Sequence, residues 1–564
     1  AAFDEIAKIL FVKVYVERDL REKRRRENLF TTAVLDNQIG GDPLNTLFSQ
    51  TKDAYRADQI FGRDDRINLR PATGREIVLK LEKYNLSDTS EDIKGIAFER
   101  FLGRTFRGEI GQFFTPRTIV EFMVHMIDPR EGDVICDPAS GSGGFLIRFF
   151  EVVRQLILAD ADRQYAAYRA EVEASGLSEA AQADHLRQKY DEIQETINQR
   201  KKSSRMWNLA NRCIYGTDAN DRMARTSKMN MIMHGDGHGG VHHHDGFINV
   251  NGIFEDRFDI VLTNPPFGAN VEAGDVVLES EIAVPDEVHD HYVKEYGTIY
   301  ESAHGLVHAA KGQPIASLFE LPRRDQTKVK TEILFIERCL KLLKPGGRMG
   351  IVLPEGVFNN PSLAYVREFC EDRAFVRAVI SLPQETFYSS GASVKASLLF
   401  LQRFTVDEHN AYNEVRSQAT AETRGVHQAE LDALQRDIAC PQYKATNFYP
   451  TGRTPSAAER QVAQAKARER NAERIARRDA ARKRLKELEE IMRQEARTLL
   501  KARWDYPIFM YEAAKVGITA TGDADANELY PNDNLPAGLE FTCLELYRQF
   551  RQDPDRFFAS GPAA

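Results

Sequence analysis

The chain has 564 residues, 42% of them hydrophobic and 28% charged, with a formal net charge of −8. That length exceeds one ordinary domain and the composition is that of a soluble globular protein with two or three folding units. The acidic balance argues against a surface coated all over with nucleic acid, and the lack of any run of about 18 apolar residues argues against a helical membrane span.

The chain opens Ala1-Ala-Phe-Asp-Glu-Ile, without the zones of a signal peptide, and the lack of an initiator Met places the expected true start upstream. Residues 1–105 read as a helical N-terminal domain: Phe3, Ile6, Ile9, Leu10 and Val14 recur at helical spacing. The basic stretch from Arg21 to Arg26 reads more readily as a solvated helix face than as a phosphate-contacting surface.

From 106 to 405 the pattern changes to short apolar runs that end in Gly, Pro or Asp and alternate with helical stretches. Asp133–Cys136, Arg212–Gly216, Phe258–Leu262, Arg348–Leu353, Val376–Ile380 and Ala396–Leu401 are the strand candidates. Strands separated by helices predict a mostly parallel, Rossmann-like α/β sheet, with ligands at the C-terminal ends of its strands. Two stretches interrupt this core. Residues 151–208 read as a protruding helical pair, and 269–328, polar and weakly periodic, as a loop or lid.

Residues 406–564 read as a C-terminal helical region. Within it, 455–503 forms a long polar helix with a sparse apolar stripe (Ile475, Leu485, Leu488, Ile491, Leu499, Leu500). Such a helix either docks a partner or packs back on its own domain. Six cysteines without a C-x-x-C pair read as reduced thiols and favour a cytoplasmic protein.

The segment with the strongest chemical meaning is Asp259-Ile-Val-Leu-Thr-Asn264-Pro265-Pro266-Phe267. A strand here ends in an Asn stiffened by two prolines, whose missing N–H groups leave carbonyls as outward acceptors. The Asn264 side-chain oxygen and the Pro265 carbonyl can accept both hydrogens of an exocyclic amine, while Phe267 offers a stacking face to the base that carries it. Taken alone, the same residues also suit an ordinary turn after a strand.

The second segment is Asp137-Pro-Ala-Ser140-Gly141-Ser-Gly143-Gly144-Phe145, directly after a strand candidate. Its glycines allow close backbone approach to a ligand and a tight entry into a helix whose first amides favour an anionic group. It is neither the spaced dinucleotide fingerprint nor a P-loop.

With these two motifs in order, the chain resembles the gamma-ordered amino-methyltransferases, and specifically the modification subunit of type I restriction-modification systems. Gly111-Gln-Phe113-Phe114-Thr115-Pro116-Arg117 upstream matches that family's first cofactor motif, and Thr331–Phe335, Leu343–Gly347 and Val352–Gly356 resemble its late core. The resemblance covers about 95–402 and implies transfer of a methyl group from S-adenosyl-L-methionine to the N6 amine of a flipped adenine in double-stranded DNA. It further implies a specificity subunit as partner, with two copies of this chain per specificity subunit, and a separate restriction/translocase subunit, in a prokaryotic cytoplasm.

The resemblance also assigns roles. Asp137, Ser140, Gly141 and Gly143 would hold the methionine end of the cofactor, with Phe114 and Thr115 closing over it. Asp218 would take the ribose hydroxyls and Asp236, in His234-Gly-Asp236, the adenine amino group. Asn264, Pro265, Pro266 and Phe267 would carry catalysis, with Phe267 and Phe387 stacking on the flipped base. The chain departs from the family in having Asp where the ribose acid is usually Glu, Ser140 where Cys is frequent, and a longer insert at 151–208.

No metal is expected: His234, His238 and His242 to His244 lack the regular spacing of a zinc site, and the chemistry needs none. Without a Pro-Cys pair, cytosine-C5 methylation is disfavoured. Methylation of RNA or of a protein amide, and a non-catalytic scaffold of a defence complex that only binds DNA or a partner, remain as alternatives.

Overall fold

The computed structural model of the chain describes residues 2–21, 24–37, 41–56, 60–86, 115–199, 201–234, 240–250, 252–322, 328–388 and 393–559. It divides into two compact units, Ala1–Arg403 with Ile508–Ala564, and Phe404–Pro507.

The first unit is built on an eight-stranded sheet. Its strands are β1 (Ile135–Asp137), β2 (Ile214–Asp218), β3 (Val241–His243), β4 (Phe258–Thr263), β7 (Leu343–Pro354), β8 (Ala374–Ser381), β9 (Ala396–Arg403) and β10 (Phe509–Glu512), in the order β10-β8-β9-β7-β4-β1-β2-β3. β9 runs antiparallel to both its neighbours; the other pairings are parallel. The six strand candidates all fall on strands of this sheet, and the α/β class holds.

The apolar runs are nearly continuous because both faces of the sheet are covered. Side chains alternate along each strand. Ile135, Ile214, Ile260, Leu262, Leu398 and Phe400 join one core cluster with the helices Arg117–Ile127 and Gly144–Ala174. Cys136, Tyr215, Val261, Leu399 and Leu401 join the other with the helix Thr331–Leu342. Because the chain runs outward from β1 through β2 to β3, then returns to β4 on the other side of β1, the topological switch lies between β1 and β4. A ligand crevice is expected outside their carboxyl ends.

The stretch after β1 carries the helix Gly144–Ala174 followed by Glu179–Ile197. The stretch 269–328 is not a loop. It carries the strands β5 (Asn270–Glu272) and β6 (Lys328–Lys330), paired antiparallel, and the helices Asp286–Tyr296 and Thr298–Ala309. Tyr300, Ala303 and Val307 form a narrow buried stripe there, diluted in sequence by intervening His, Gly and Glu.

The C-terminal region is also not uniformly helical. Residues 508–564 return to the sheet as β10, followed by the antiparallel pair β11 (Val516–Ile518) and β12 (Ala524–Asn527) and the helix Cys543–Gln552.

At the N-terminus, the helix Ala2–Arg21 buries Ile9, Val12 and Val16 against Leu44, Leu47, Phe48 and Val78, and sets Ala7 and Phe11 against Met223 and Met229. In the basic stretch, Arg25 is engaged by Asp19 at 3.1 Å and Gln50 at 2.7 Å.

The second unit is a hairpin of two helices, Val406–Ala439 and Ala457–Arg503. The latter has 47 residues, about 70 Å at 1.5 Å per residue. Capping boxes at Thr405/Glu408 and Ser456/Glu459 start the two helices. Ala419, Thr423 and Leu431 of the first helix and Ala481, Leu488 and Leu500 of the second are buried, and His427–Glu495 at 2.7 Å and Arg484–Glu430 at 2.8 Å link the two helices. Among the described residues no helix is long and apolar enough to cross a membrane.

Candidate active site

A cleft of about 590 Å³ opens at the switch point, lined by the loops after β1, β2, β3 and β4 and by the start of the helix Thr331–Leu342. Each loop is held by its own polar contacts.

After β1, the Ser140 amide donates to Thr217 O at 2.8 Å and Thr217 Oγ1 donates to Pro138 O at 3.0 Å, which ties the loop to β2. Gly143 has φ 82°, in the left-handed region where a side chain is strained, and a Cβ there would lie 2.5 Å from Ser227 Oγ. The helix Gly144–Ala174 starts at once, so its N-terminus faces the cleft.

Two carboxylates face the same space. Asp218 receives the amides of Gly141 at 3.0 Å and Asn220 at 2.8 Å, one on each oxygen. Each oxygen keeps a lone pair for a ligand hydroxyl. Burial raises the Asp218 carboxyl above the usual carboxylate range. Asp137 is more enclosed, 1% exposed, and burial pushes it up to about 7, with the Asp218 charge adding to the rise and the Ala139 amide opposing it. A carboxyl in this state is ready to be ionised by a cation arriving beside it.

After β4, the Asn264 side chain donates from Nδ2 to Thr115 Oγ1 at 2.9 Å. That fixes the amide plane and leaves Oδ1 buried, without a hydrogen-bond partner among the described residues. A buried amide oxygen left unpaired costs free energy, about 1–3 kcal/mol, which a donor entering the cleft would recover. Pro265 is buried, Pro266 exposed, and Phe267 half-buried against the core with part of its ring on the cleft. The Gly268 amide donates to Glu332 Oε2 at 3.3 Å, anchoring the far side of the loop.

The cleft thus gathers Thr115, Asp137, Ser140, Gly141, Asp218, Asn264, Pro265, Pro266 and Phe267. Gly143 closes the turn behind it. Thr115 differs from expectation in detail, since its hydroxyl is engaged by Asn264. Phe114 and Asp236 lie outside the described residues.

Phe387 requires a correction. Its ring is 1% exposed inside the core cluster against which Phe267 packs, and it could stack on a base only by leaving that core. Its neighbour Tyr388 is the exposed aromatic, at 42%.

Sequence reasoning missed the loop after β3. Asp245, Gly246 and Phe247 line the cleft, with Asp245 Oδ1 accepting from the Phe247 amide at 2.9 Å. Phe247 and Phe335 form an aromatic wall, their ring centroids 4.4 Å apart. A Cβ on Gly246 would come 2.1 Å from Pro138 O, so the β1 and β3 loops meet only because this residue is glycine. The buried Arg338 clamps the same loop, donating to Gly246 O at 2.9 Å, Asn249 Oδ1 at 2.6 Å and Ile248 O at 3.2 Å. The usable signal was an acid-glycine pair just after Val241, obscured by the histidines between them.

Those histidines are structural. His243 Nε2 and His244 Nδ1 meet the carbonyls of Ala219 and Asp245, and burial holds His242 neutral by pushing it down to about 3. Among the described residues no three ligating side chains are placed to hold a metal ion.

The model of the N-6 DNA Methylase family matches residues 89–187, 188–296 and 320–435. Among curated proteins, the chain is 23% identical over 336 residues to the EcoEI methylase subunit of a type I restriction enzyme from Escherichia coli, covering 58% of this chain and 50% of that one. It is 24% identical over 424 residues to the StySPI methylase subunit of Salmonella potsdam, covering 72% and 64%. The chain therefore spans between half and just under two thirds of the length of these relatives. Among solved structures, a type I restriction-modification assembly aligns at 18% identity and a TM-score of 0.43, covering 87% of this chain and 93% of that one. The EcoKI M protein aligns at 17% and 0.31, covering 72% and 63%. The three matched stretches take in more than half of the sequence and every loop of the cleft from Asp137 onward, and the chain belongs to the N-6 DNA Methylase family.

Proposed function

We propose that this chain methylates the N6 amine of adenine in double-stranded DNA, using S-adenosyl-L-methionine, as the modification subunit of a type I restriction-modification complex. The observation that carries this reading is the Asn264 amide in the cleft wall, held by Thr115 with its buried oxygen left without a hydrogen-bond partner among the described residues. An exocyclic amine is the complementary donor. Accepting its hydrogens through Asn264 Oδ1 and the Pro265 carbonyl draws electron density onto the nitrogen and fixes its direction.

The cleft also fits the cofactor. Its volume is in the range of small-molecule sites, and its donor set runs from Asp137, suited to an ammonium, through Asp218, suited to a diol, to Asp245 and the Phe247–Phe335 wall, suited to a purine. When bound, S-adenosyl-L-methionine supplies an electrophilic methyl group. Phe267, which shows part of its ring to the cleft, is the candidate to stack on the target base, and Phe114 and Asp236 remain candidates for the cofactor's surroundings.

The target lies inside a duplex, so it must be flipped to reach Asn264. The relatives' names as type I restriction enzyme methylase subunits favour DNA as the substrate. We further propose, as the sequence resemblance implies, a specificity subunit that binds two copies of this chain and a separate restriction/translocase subunit as partners.

The test is transfer of labelled methyl to DNA with a cognate specificity subunit present. N6-methyladenine is expected, with loss of at least about a hundredfold in Asn264→Ala, the scale of removing a transition-state donor or acceptor. Labelling of RNA or protein but not DNA, or no labelling despite cofactor binding, would overturn it.

A further inference from the structure

At the opposite end of the sheet from the cleft, a second crevice of about 300 Å³ opens. It lies among the start of β4, the Pro345–Arg348 part of β7, the end of β9 and the helix Cys543–Gln552. Asp259 lines the crevice and Asn264 lines the cleft. The two lie five residue steps apart along β4 and its end, roughly 17 Å at 3.3 Å per residue.

Four arginines line it, Arg130, Arg348, Arg377 and Arg551, against two carboxylates, Asp133 and Asp259. Both carboxylates are already engaged: Asp133 by Arg348 at 2.6 Å, and Asp259 by Lys344 at 3.0 Å. Arg348 is further fixed by donating to Ile127 O at 2.9 Å and Asp128 O at 2.8 Å, and Arg377 donates from Nε to Gln402 Oε1 at 3.0 Å. The Arg130 and Arg551 side chains are exposed and make no ion pair or hydrogen bond among the described residues.

Tyr547 adds a second kind of evidence. Its ring is buried against Phe509 at 5.4 Å, and it lines the crevice with a hydroxyl that has no hydrogen-bond partner among the described residues. The charges acting on that hydroxyl are those of Arg551, Arg377 and Arg348, opposed by Asp128. A concave site with surplus guanidinium charge and an unused phenol donor concentrates a multivalent oxyanion. Guanidinium forks match phosphate oxygens in particular. Met126 and Phe400 supply apolar wall beside them.

We infer that this crevice binds the phosphate group of a small phosphorylated molecule, independently of methyl transfer. The full chain, its cofactor cleft saturated with S-adenosylhomocysteine, is titrated calorimetrically with inorganic phosphate and separately with adenosine monophosphate, against chloride at matched ionic strength. One saturable equivalent is expected. Removing the two exposed charges in Arg130→Gln/Arg551→Gln should weaken it about tenfold or more, the scale of charge-assisted phosphate contacts. Tyr547→Phe should weaken it less. Unchanged S-adenosylhomocysteine binding by the variants checks that they remain folded.

Tighter binding of adenosine monophosphate identifies a nucleotide as the ligand, and equal binding identifies the phosphate group alone. No saturable binding of either anion beyond chloride, or binding that the double variant leaves intact, overturns the inference.

Discussion

Asn264 Nδ2 donates to Thr115 Oγ1 at 2.9 Å across 149 residues of sequence, joining the loop after β4 to a residue two positions before the helix Arg117–Ile127. This bond engages the amide nitrogen and leaves Oδ1 without a hydrogen-bond partner among the described residues. Thr115→Val keeps the shape and removes the acceptor, so the amide loses its fixed direction. We expect kcat to fall about ten- to a hundredfold, as for a misplaced catalytic group, with cofactor affinity unchanged. Thr115→Ser should restore most of the rate. Steady-state methyl transfer beside calorimetric cofactor binding separates these outcomes; an equal fall in cofactor affinity would show that Thr115 acts on the cofactor instead.

Arg338 reaches the cleft without lining it. It is 2% exposed and spends its guanidinium on Gly246 O, Ile248 O and Asn249 Oδ1, which holds Asp245 and Phe247 in place. Lysine cannot fork to three acceptors. Arg338→Lys is expected to weaken cofactor binding about tenfold and to lower stability by roughly 2 kcal/mol, the cost of buried acceptors left unpaired. Calorimetry and chemical denaturation read the two effects. A variant that loses stability but binds cofactor normally would show that the loop holds itself.

How much of this was legible depended on burial geometry. β1, β2 and β4 announced themselves because burial on both faces makes short unbroken apolar runs, and their loops carried Asp137, Asp218 and Asn264. β3 is a three-residue edge strand, Val241–His243, of which two residues are histidines, so neither it nor Asp245 beyond it stood out. β10 pairs with β8 in parallel after more than a hundred intervening residues, a long-range contact that local periodicity does not encode. Phe387 and Tyr388 are adjacent aromatics, and nothing local says which one the core will take.

Asp137 gives the cleft a pH dependence. Its carboxyl titrates near 7 when folded because it is buried, and near 4 when unfolded. Between those values the native state holds the extra proton, so this group's contribution to stability falls as pH rises through the window. A bound ammonium favours the ionised form and reverses the preference. Cofactor affinity is therefore expected to rise as pH increases from 6 to 8, by at most about tenfold per unit below 7, with a proton released on binding. Asp137→Asn should abolish the slope. Calorimetry in two buffers of different ionisation enthalpy measures the proton, and a slope that persists in the variant would assign it elsewhere.

Phe267 and Phe387 belong to one cluster but differ in what they offer. Phe267 shows part of its ring to the cleft, while Phe387 is 1% exposed. Removing Phe267 takes away a stacking face, worth about 1–3 kcal/mol per base. Phe267→Ala should raise KM for DNA about tenfold or more, with a small loss of stability and cofactor affinity kept. Phe387→Ala instead opens a core cavity and should cost about 3–5 kcal/mol of stability, with little change in KM for the fraction that stays folded. Tyr388→Ala, at the exposed neighbour, should leave stability within about 0.5 kcal/mol. Denaturation midpoints and steady-state kinetics on the three variants decide between them. A Phe387→Ala protein that kept its stability but lost DNA affinity would mean that this ring leaves the core to meet the base.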